Sequence, residues 1–325
     1  MVATIVRRLI ILIPQLFLIS LVTFILAWVM PGDIVSQRML MEDEQMLSLH
    51  EMQQMRALLG LDDPWYVQYT RWLSNVVRGD FGMSFQHHRP VTELIRQRMG
   101  NTFRLSLTSV LVVFGAGIPL GILAGRYYRR PLDKGIQLYG FVGVSLPNVV
   151  LGILLVWLFA FRLDWLPFFG SIDPLVVGTG RIAEFMSRLR HLVLPTLAIG
   201  LGGGIGTIYF LRAQIVEGRS SDYAMTAKAY GIPEKTIFRK HILRNSLMPF
   251  APTVGFIFVG LFGGTILLER LFSIPGMGDL LMTSITQQDN NVMSTLVLFY
   301  ASLSALAVLI GDITITIVDP RIRIK

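Results

Sequence analysis

The sequence predicts an all-α, polytopic membrane protein with about six transmembrane helices and both termini on the same side of the bilayer. Three observations predict it. Hydrophobic residues make up 53% of the 325 and charged residues 15%, where an ordinary soluble chain has roughly 25% charged. The apolar residues gather into runs long enough to cross a bilayer, which takes roughly 20 residues. The basic residues, which give a formal net charge of +8, cluster at the ends of those runs. A basic chain invites a nucleic-acid reading, but its Lys and Arg form no long run, so nucleic acid is excluded as a partner and a lipid bilayer is expected instead. Cysteine is absent, which excludes disulfides, thiol catalysis and thiolate metal sites.

The elements follow in order. Residues 1–30 form an N-terminal transmembrane helix, with 9–30 uncharged behind Arg7 and Arg8. That core is long enough to span and no small-residue cleavage site follows it, so it reads as a retained span and not a cleaved signal. Residues 31–101 are the long polar region, an extracytoplasmic helical cap. Within it, 42–59 reads as a helix with Met52, Met55 and Leu59 at helical spacing and Gly60 as its stop. A second helix over 64–77 places Trp65, Tyr69, Trp72 and Val76 on one face. Such a stripe suits the membrane–water boundary or packing against the protein's own helices.

Residues 102–318 form a five-helix transmembrane core, with spans over 102–125, 136–161, 192–211, 250–268 and 292–318, and 319–325 is a cytoplasmic tail. Pro147 and Pro195 are expected to break the spans that hold them. The glycine run from Gly200 to Gly206 has no following Lys and lies in an apolar span, so it reads as close helix packing and not as a phosphate loop. Lys and Arg number eleven in the two short loops placed inside (126–134 and 212–247) against five in the two placed outside (162–191 and 269–291). By the positive-inside rule both ends then lie in the cytoplasm.

The polar interruption at 212–249 is the most informative stretch. It carries Arg212, Arg219, Lys228, Lys235, Arg239, Lys240 and Arg244 against Glu217, Asp222 and Glu234. In its middle, Ser221 or Asp222 caps a short helix of about three turns that Gly231 closes, with Pro233 just beyond. That helix is presented to the cytoplasm, where a soluble partner can grip it.

No catalytic constellation appears. There is no P-loop, H-E-x-x-H or G-x-S-x-G. His87 and His88 are adjacent, which is poor geometry for two ligands on one metal, and no metal site is expected. His191 and His241 border spans. Asp312 is the one acid buried by this topology and a candidate for the pathway or its gate, against a structural hydrogen bond to a neighbouring helix.

These residues resemble a family. The loop D-Y-x-x-T-A-x-A-x-G followed by H-x-L-R-N-x-L-x-P is similar to the cytoplasmic coupling ("EAA") loop of dipeptide/oligopeptide-type ABC importer permeases, the branch that also includes nickel and glutathione permeases. Asp222, Tyr223, Thr226, Ala227, Ala229 and Gly231 fit the first part, and His241, Leu243, Arg244, Asn245, Leu247 and Pro249 the second. The general pattern's Glu, first Ala and final Pro are absent. Further features of the branch occur in order: RRLI…IP (7–14), PGD (31–33), GDFGMSF (79–85), NT (101–102), SLPN (145–148), HLVLPTL (191–197), ER-LF-x-x-PGMG (269–278) and DPR (319–321).

The resemblance implies the type I ABC importer permease fold and a transport subunit without enzymatic activity of its own. It implies a homologous second permease, one or two cytoplasmic ABC ATPase subunits, an extracytoplasmic solute-binding protein, and residence in a bacterial or archaeal plasma (inner) membrane. ATP and Mg are expected on the ATPase subunits and no cofactor on this chain. In the coupling helix Asp222 is the expected cap, Tyr223 and Ala224 the exposed contact, with Met225 beside them. Thr226 and Ala227 let it seat closely, and Gly231 makes the turn. The flanking basic residues face lipid headgroups or an acidic ATPase surface. Glu269, Pro275 and Gly276 form a rigid segment that serves gating, docking of the binding protein, or loop structure alone. The expected solute is a di- or oligopeptide, with nickel, glutathione or an oligosaccharide as alternatives. A stand-alone secondary transporter would want intramembrane ionisable clusters and inverted repeats, and a membrane-embedded enzyme paired histidines or carboxylates at depth; neither set is present.

Overall fold

The computed structural model describes residues 2–29, 53–54, 57, 60, 62–250, 253–263 and 266–318. The expected helix over 42–59 lies almost entirely outside the described residues, as do the 31–33 motif and the 319–325 tail. Twelve helical elements carry the argument: α1 (Val2–Val29), α2 (Trp65–Val77), α3 (Val91–Arg126), α4 (Pro131–Ser145), α5 (Asn148–Leu155, prolonged by a π-helical stretch Val156–Arg162) and α6 (Arg181–Arg219). They continue with α7 (Asp222–Ala229), α8 (Glu234–Thr236, π-helical Ile237–Ile242, then Leu243–Leu247), α9 (Thr253–Gly263), α10 (Ile266–Leu271), α11 (Met277–Thr286) and α12 (Asn290–Val318).

Among the described residues four helices are long and apolar enough to cross a membrane, and a fifth crossing arises if the bent pair α4–α5 counts as one span. The span expected over 250–268 is described as the two short helices α9 and α10. Helix ends differ from the apolar boundaries. Helix α3 starts eleven residues before the span expected from 102, and α6 starts eleven before 192. Apolarity marks where lipid begins, whereas the hydrogen-bonded ladder runs on until a start signal such as Pro90 or Gly180 stops it.

Pro147 breaks its span as expected, with a 98° bend between α4 and α5. Leu146 is extended (φ −105°, ψ 117°), the conformation that a following proline favours. Pro195 does not break its helix: α6 runs through it unbroken, and Leu194, Pro195 and Thr196 are all buried. Packing on the flanking turns holds the helix across the lost amide there.

The described residues divide into two units. One comprises Val2–Arg98 and Leu280–Ala305. In it α2 packs on α1: the Tyr69 hydroxyl lies 2.8 Å from the Ser20 hydroxyl, and Phe24 meets Tyr69 and Trp72 at ring distances of 5.4 and 5.7 Å. Tyr69 is buried while Trp65 and Tyr66 stay exposed, so the centre of the aromatic stripe is spent on the protein's own first span. The GDFGMSF motif also finds partners here. Ser84 donates to the Asp289 carboxylate (2.5 Å) and Asn291 donates to the Met83 carbonyl (2.9 Å).

The other unit comprises 99–279 and 306–318 of the described residues. Its axis is α6, whose glycine run packs as expected: a Cβ on Gly200 would strike Val112, and one on Gly204 would lie 3.4 Å from the Val113 carbonyl. A second small-residue stripe on α3 escaped the sequence reading. Gly117, Gly121 and Gly125 face Thr207, Ile208, Leu211 and Ile215 of α6, the spacing that lets two membrane helices approach closely. A Cβ at Gly121 would lie 3.0 Å from Leu211 Cβ and 3.1 Å from the Ile208 carbonyl oxygen, which cannot yield. Gly121→Leu is therefore expected to destabilise the protein by about 1–3 kcal/mol. Gly115→Leu, with nothing within 4 Å of the new Cβ, is expected to leave it unchanged. Thermal unfolding midpoints of the detergent-purified variants check both.

Candidate functional site

The interruption at 212–249 folds as a continuous seat and rider. Helix α6 ends at Arg219, and Ser220 and Ser221 turn the chain into α7. Ser221 occupies the N-cap position with extended backbone, but its hydroxyl donates to the Gly218 carbonyl (2.7 Å) instead of to α7. Asp222, the expected cap, lies one position inside the helix and is exposed; there its charge still favours the positive end of the helix dipole. Gly231 closes the helix at φ +72°, a conformation that residues with a Cβ rarely adopt. Its amide donates to the Lys228 carbonyl at 2.9 Å.

The orientation of α7 corrects part of the expectation. Ala224 is fully buried and Ala227 nearly so, three residues apart on the seated face. They pack with Leu211 and Ile215 of α6 and with Ile237 and Ile242 of α8. Ala224 is thus part of the seat and not of the exposed contact, and Thr226 faces outward. The free face presents Tyr223, Met225 and Tyr230, which are 37%, 54% and 82% exposed, together with Asp222, Thr226, Lys228 and Ala229. His241 is half-buried and Arg244 exposed on α8. Beside them Lys235, Thr236, Arg239 and Lys240 line a basic hollow of about 470 Å³.

A second loop is tied to this one, and sequence reasoning missed it. Arg212 holds Asp133 at the start of α4 in a two-point ion pair, its Nε donating to Oδ1 at 2.6 Å and a terminal nitrogen to Oδ2 at 3.0 Å. The Arg129 amide adds a donor to the same Oδ2 (2.8 Å). The Asp133 side chain is completely buried and that of Arg212 is 20% exposed. The Arg212 guanidinium also lies 5.1 Å from the Tyr128 ring centroid. Arg219 donates to the Gly125 and Arg126 carbonyls at the end of α3 (3.3 and 3.1 Å), where a cation suits the helix terminus. The only sequence signal was an acid within a strongly basic loop.

The candidate gate segment is a buried cradle. Glu269 is completely buried. Its Oε1 accepts from the Thr102 hydroxyl (2.8 Å) and its Oε2 from the Asp279 amide (3.0 Å). The Thr102 oxygen in turn accepts from the Met277 amide (2.7 Å), and Asn101 donates to the Pro275 carbonyl (3.0 Å). A Cβ on Gly276 would overlap the Glu269 carboxylate, so glycine is what lets the turn close over it. Burial pushes the Glu269 carboxyl above its ordinary value; donation from the Asp279 amide, the Thr102 hydroxyl and the Gly278 amide acts the other way. Glu269, Pro275 and Gly276 are thus brought together. Asp312 lies half-buried near the end of α12.

Long apolar helices around a mid-chain basic loop with one short seated helix define a multi-pass, all-α membrane permease. The chain belongs to the family described as the binding-protein-dependent transport system inner membrane component, matched over residues 117–324, with the N-terminal region of the same systems matched over 1–108. It is 34% identical over 324 residues to the oligopeptide transport system permease protein AppB of Bacillus subtilis (strain 168), covering 99% of this chain and 100% of that protein. It is 33% identical over 321 residues to the glutathione transport system permease protein GsiC of Escherichia coli (strain K12), covering 99% of each. It is a dipeptide/oligopeptide-type ABC permease, a subunit of an importer and a multi-pass inner-membrane protein.

Proposed function

We propose that this chain, with a homologous second permease, forms the translocation path of an importer for di- or oligopeptides that works by alternating access. In this reading ATP hydrolysis occurs on one or two cytoplasmic ABC ATPase subunits, which hold ATP and Mg, and a solute-binding protein delivers solute to the outer face. The chain has six spans with both termini in the cytoplasm. Helix α7 is the coupling helix: its outward face docks in the ATPase, and motion there passes through the seat to α6 and α8. The observation that carries the reading is the two-faced α7, with Ala224 and Ala227 buried against α6 and α8 while Met225 and Tyr230 stand free and Tyr223 lies partly exposed, its hydroxyl against Gly218.

The test is co-purification of the tagged chain with its operon partners, with ATPase activity read in lipid nanodiscs. Gly231→Val is the first variant, because no atom lies within 4 Å of the new Cβ and its effect is that of the backbone alone. Met225→Glu is the second, a change on the free face that leaves the seat intact. Both are expected to lower solute-stimulated ATPase activity about tenfold or more, the loss of at least about 1.4 kcal/mol of interface energy. Competition between labelled peptides and glutathione in uptake then sets the solute. A chain that purifies alone and moves solute without ATP would overturn the reading.

A further inference from the structure

The apolar pair α4–α5 is bent by 98° at its break. Its depth follows from its neighbour. The Asn148 side chain lies on Gly202 so closely that a Cβ there would overlap the amide oxygen. Gly202 stands at the middle of the apolar stretch 192–211 of α6. At 1.5 Å per residue that is about 15 Å from either end, the midplane of a hydrocarbon core about 30 Å thick.

The break opens polar groups at that depth. Pro147 has no amide to give the Gly143 carbonyl, which accepts from Leu146 instead, at 3.4 Å. Ser145, Pro147 and Asn148 are exposed. The Ser145 hydroxyl turns back to the Phe141 carbonyl (2.8 Å), whereas the Asn148 amide makes no side-chain hydrogen bond among the described residues. Hydrocarbon would leave the Asn148 amide without a partner, and broken helices persist at membrane depth where they are buried in protein or line a water-filled cavity. This chain does not bury them.

We infer that the Ser145–Asn148 break lines the solute path, with the Asn148 amide as a midplane contact for solutes that carry amide groups. An Asn side chain offers two donors and a carbonyl acceptor, the complement of a peptide group. The inference rests on the transport reading for its solute and on water access for its geometry, and the two are measured separately.

The chain holds no cysteine, so single thiols can be introduced without background. Asn148→Cys and Ser145→Cys are made in the full complex in nanodiscs and exposed to a charged, membrane-impermeant thiosulfonate, with and without ATP. Leu111→Cys serves as the control of matched depth: its neighbours Val112 and Val113 face Gly200 and Gly204, and it is 63% exposed on an apolar surface. The reacting species is the thiolate, which hydrocarbon disfavours. The two thiols at the break are therefore expected to label about a hundredfold faster than the control in at least one nucleotide state, and transported peptide to slow that labelling. Labelling no faster than the control in either state overturns the inference, as does labelling that appears only when the second permease is removed. Uptake by the wild-type complex is scored in parallel: its failure would count against peptide import and leave the labelling result standing.

Discussion

Asp133→Leu is expected to destabilise the protein by about 3–5 kcal/mol, the typical result of removing one partner of a buried ion pair. The Arg212 guanidinium, 20% exposed at the side chain, would lose both carboxylate acceptors, and the Arg129 amide would lose its acceptor as well. Arg212→Leu is expected to cost about as much, because it leaves a fully buried carboxylate without its cation, held by the Arg129 amide and the Gln137 side chain alone. The double variant separates pair breaking from simple loss of charge. With both residues replaced by leucine no buried charge is stranded, so its loss should fall short of the sum of the singles by about 1–3 kcal/mol. Thermal unfolding of the four proteins closes this cycle, and additive losses would show that the pair is not energetically coupled.

The same pair gives the prediction a functional reading. It ties the loop ahead of α4 to the last turns of α6, and the end of α6 seats α7 through Leu211 and Ile215. In Asp133→Leu the amides of 126–134 and of 220–231 should therefore exchange hydrogen faster together. Faster exchange in the first loop alone would show that the two are not one unit.

What was legible in the sequence is what is local or compositional. Apolar runs, the Gly231 stop and the Pro147 break each follow from residues close together in the chain, and each has a counterpart in the structure. The face of α7 was not legible. The segment DYAMTAKA carries no apolar period, so which alanines turn inward is decided by Ile237 and Ile242, supplied from α8. Asp133 and Arg212 lie 79 residues apart, and in the sequence each was one more loop charge. The NT and ER-LF-x-x-PGMG motifs were visible separately, but their meeting is a tertiary fact. Thr102 and Glu269 are 167 residues apart, and no periodicity encodes that distance. Pro195 shows the converse: a local breaker was legible, and tertiary packing overrode it.

Glu269→Ala is the second large effect, an expected loss of about 3–5 kcal/mol, since it strands the Thr102 hydroxyl and the Asp279 and Gly278 amides in a site that excludes water. Glu269→Gln keeps a carbonyl acceptor and the shape of the cradle, so about 1–2 kcal/mol is expected there. The pH dependence distinguishes a buried carboxyl from a mere shape. The folded carboxyl titrates above its ordinary value of 4.5 because burial disfavours its charge. Between that value and the raised one the folded state holds more protons than the unfolded state. Stability from this group is therefore greatest in acid and is lost as pH rises through the window. The wild type should accordingly compare more favourably with Glu269→Gln at about pH 5 than at about pH 8. A pH-independent difference would mean that the cradle holds Glu269 by its hydrogen bonds without penalty. A difference that grows in the opposite direction would mean that the donors from Thr102, Gly278 and Asp279 outweigh burial and that the segment is locked by a charge.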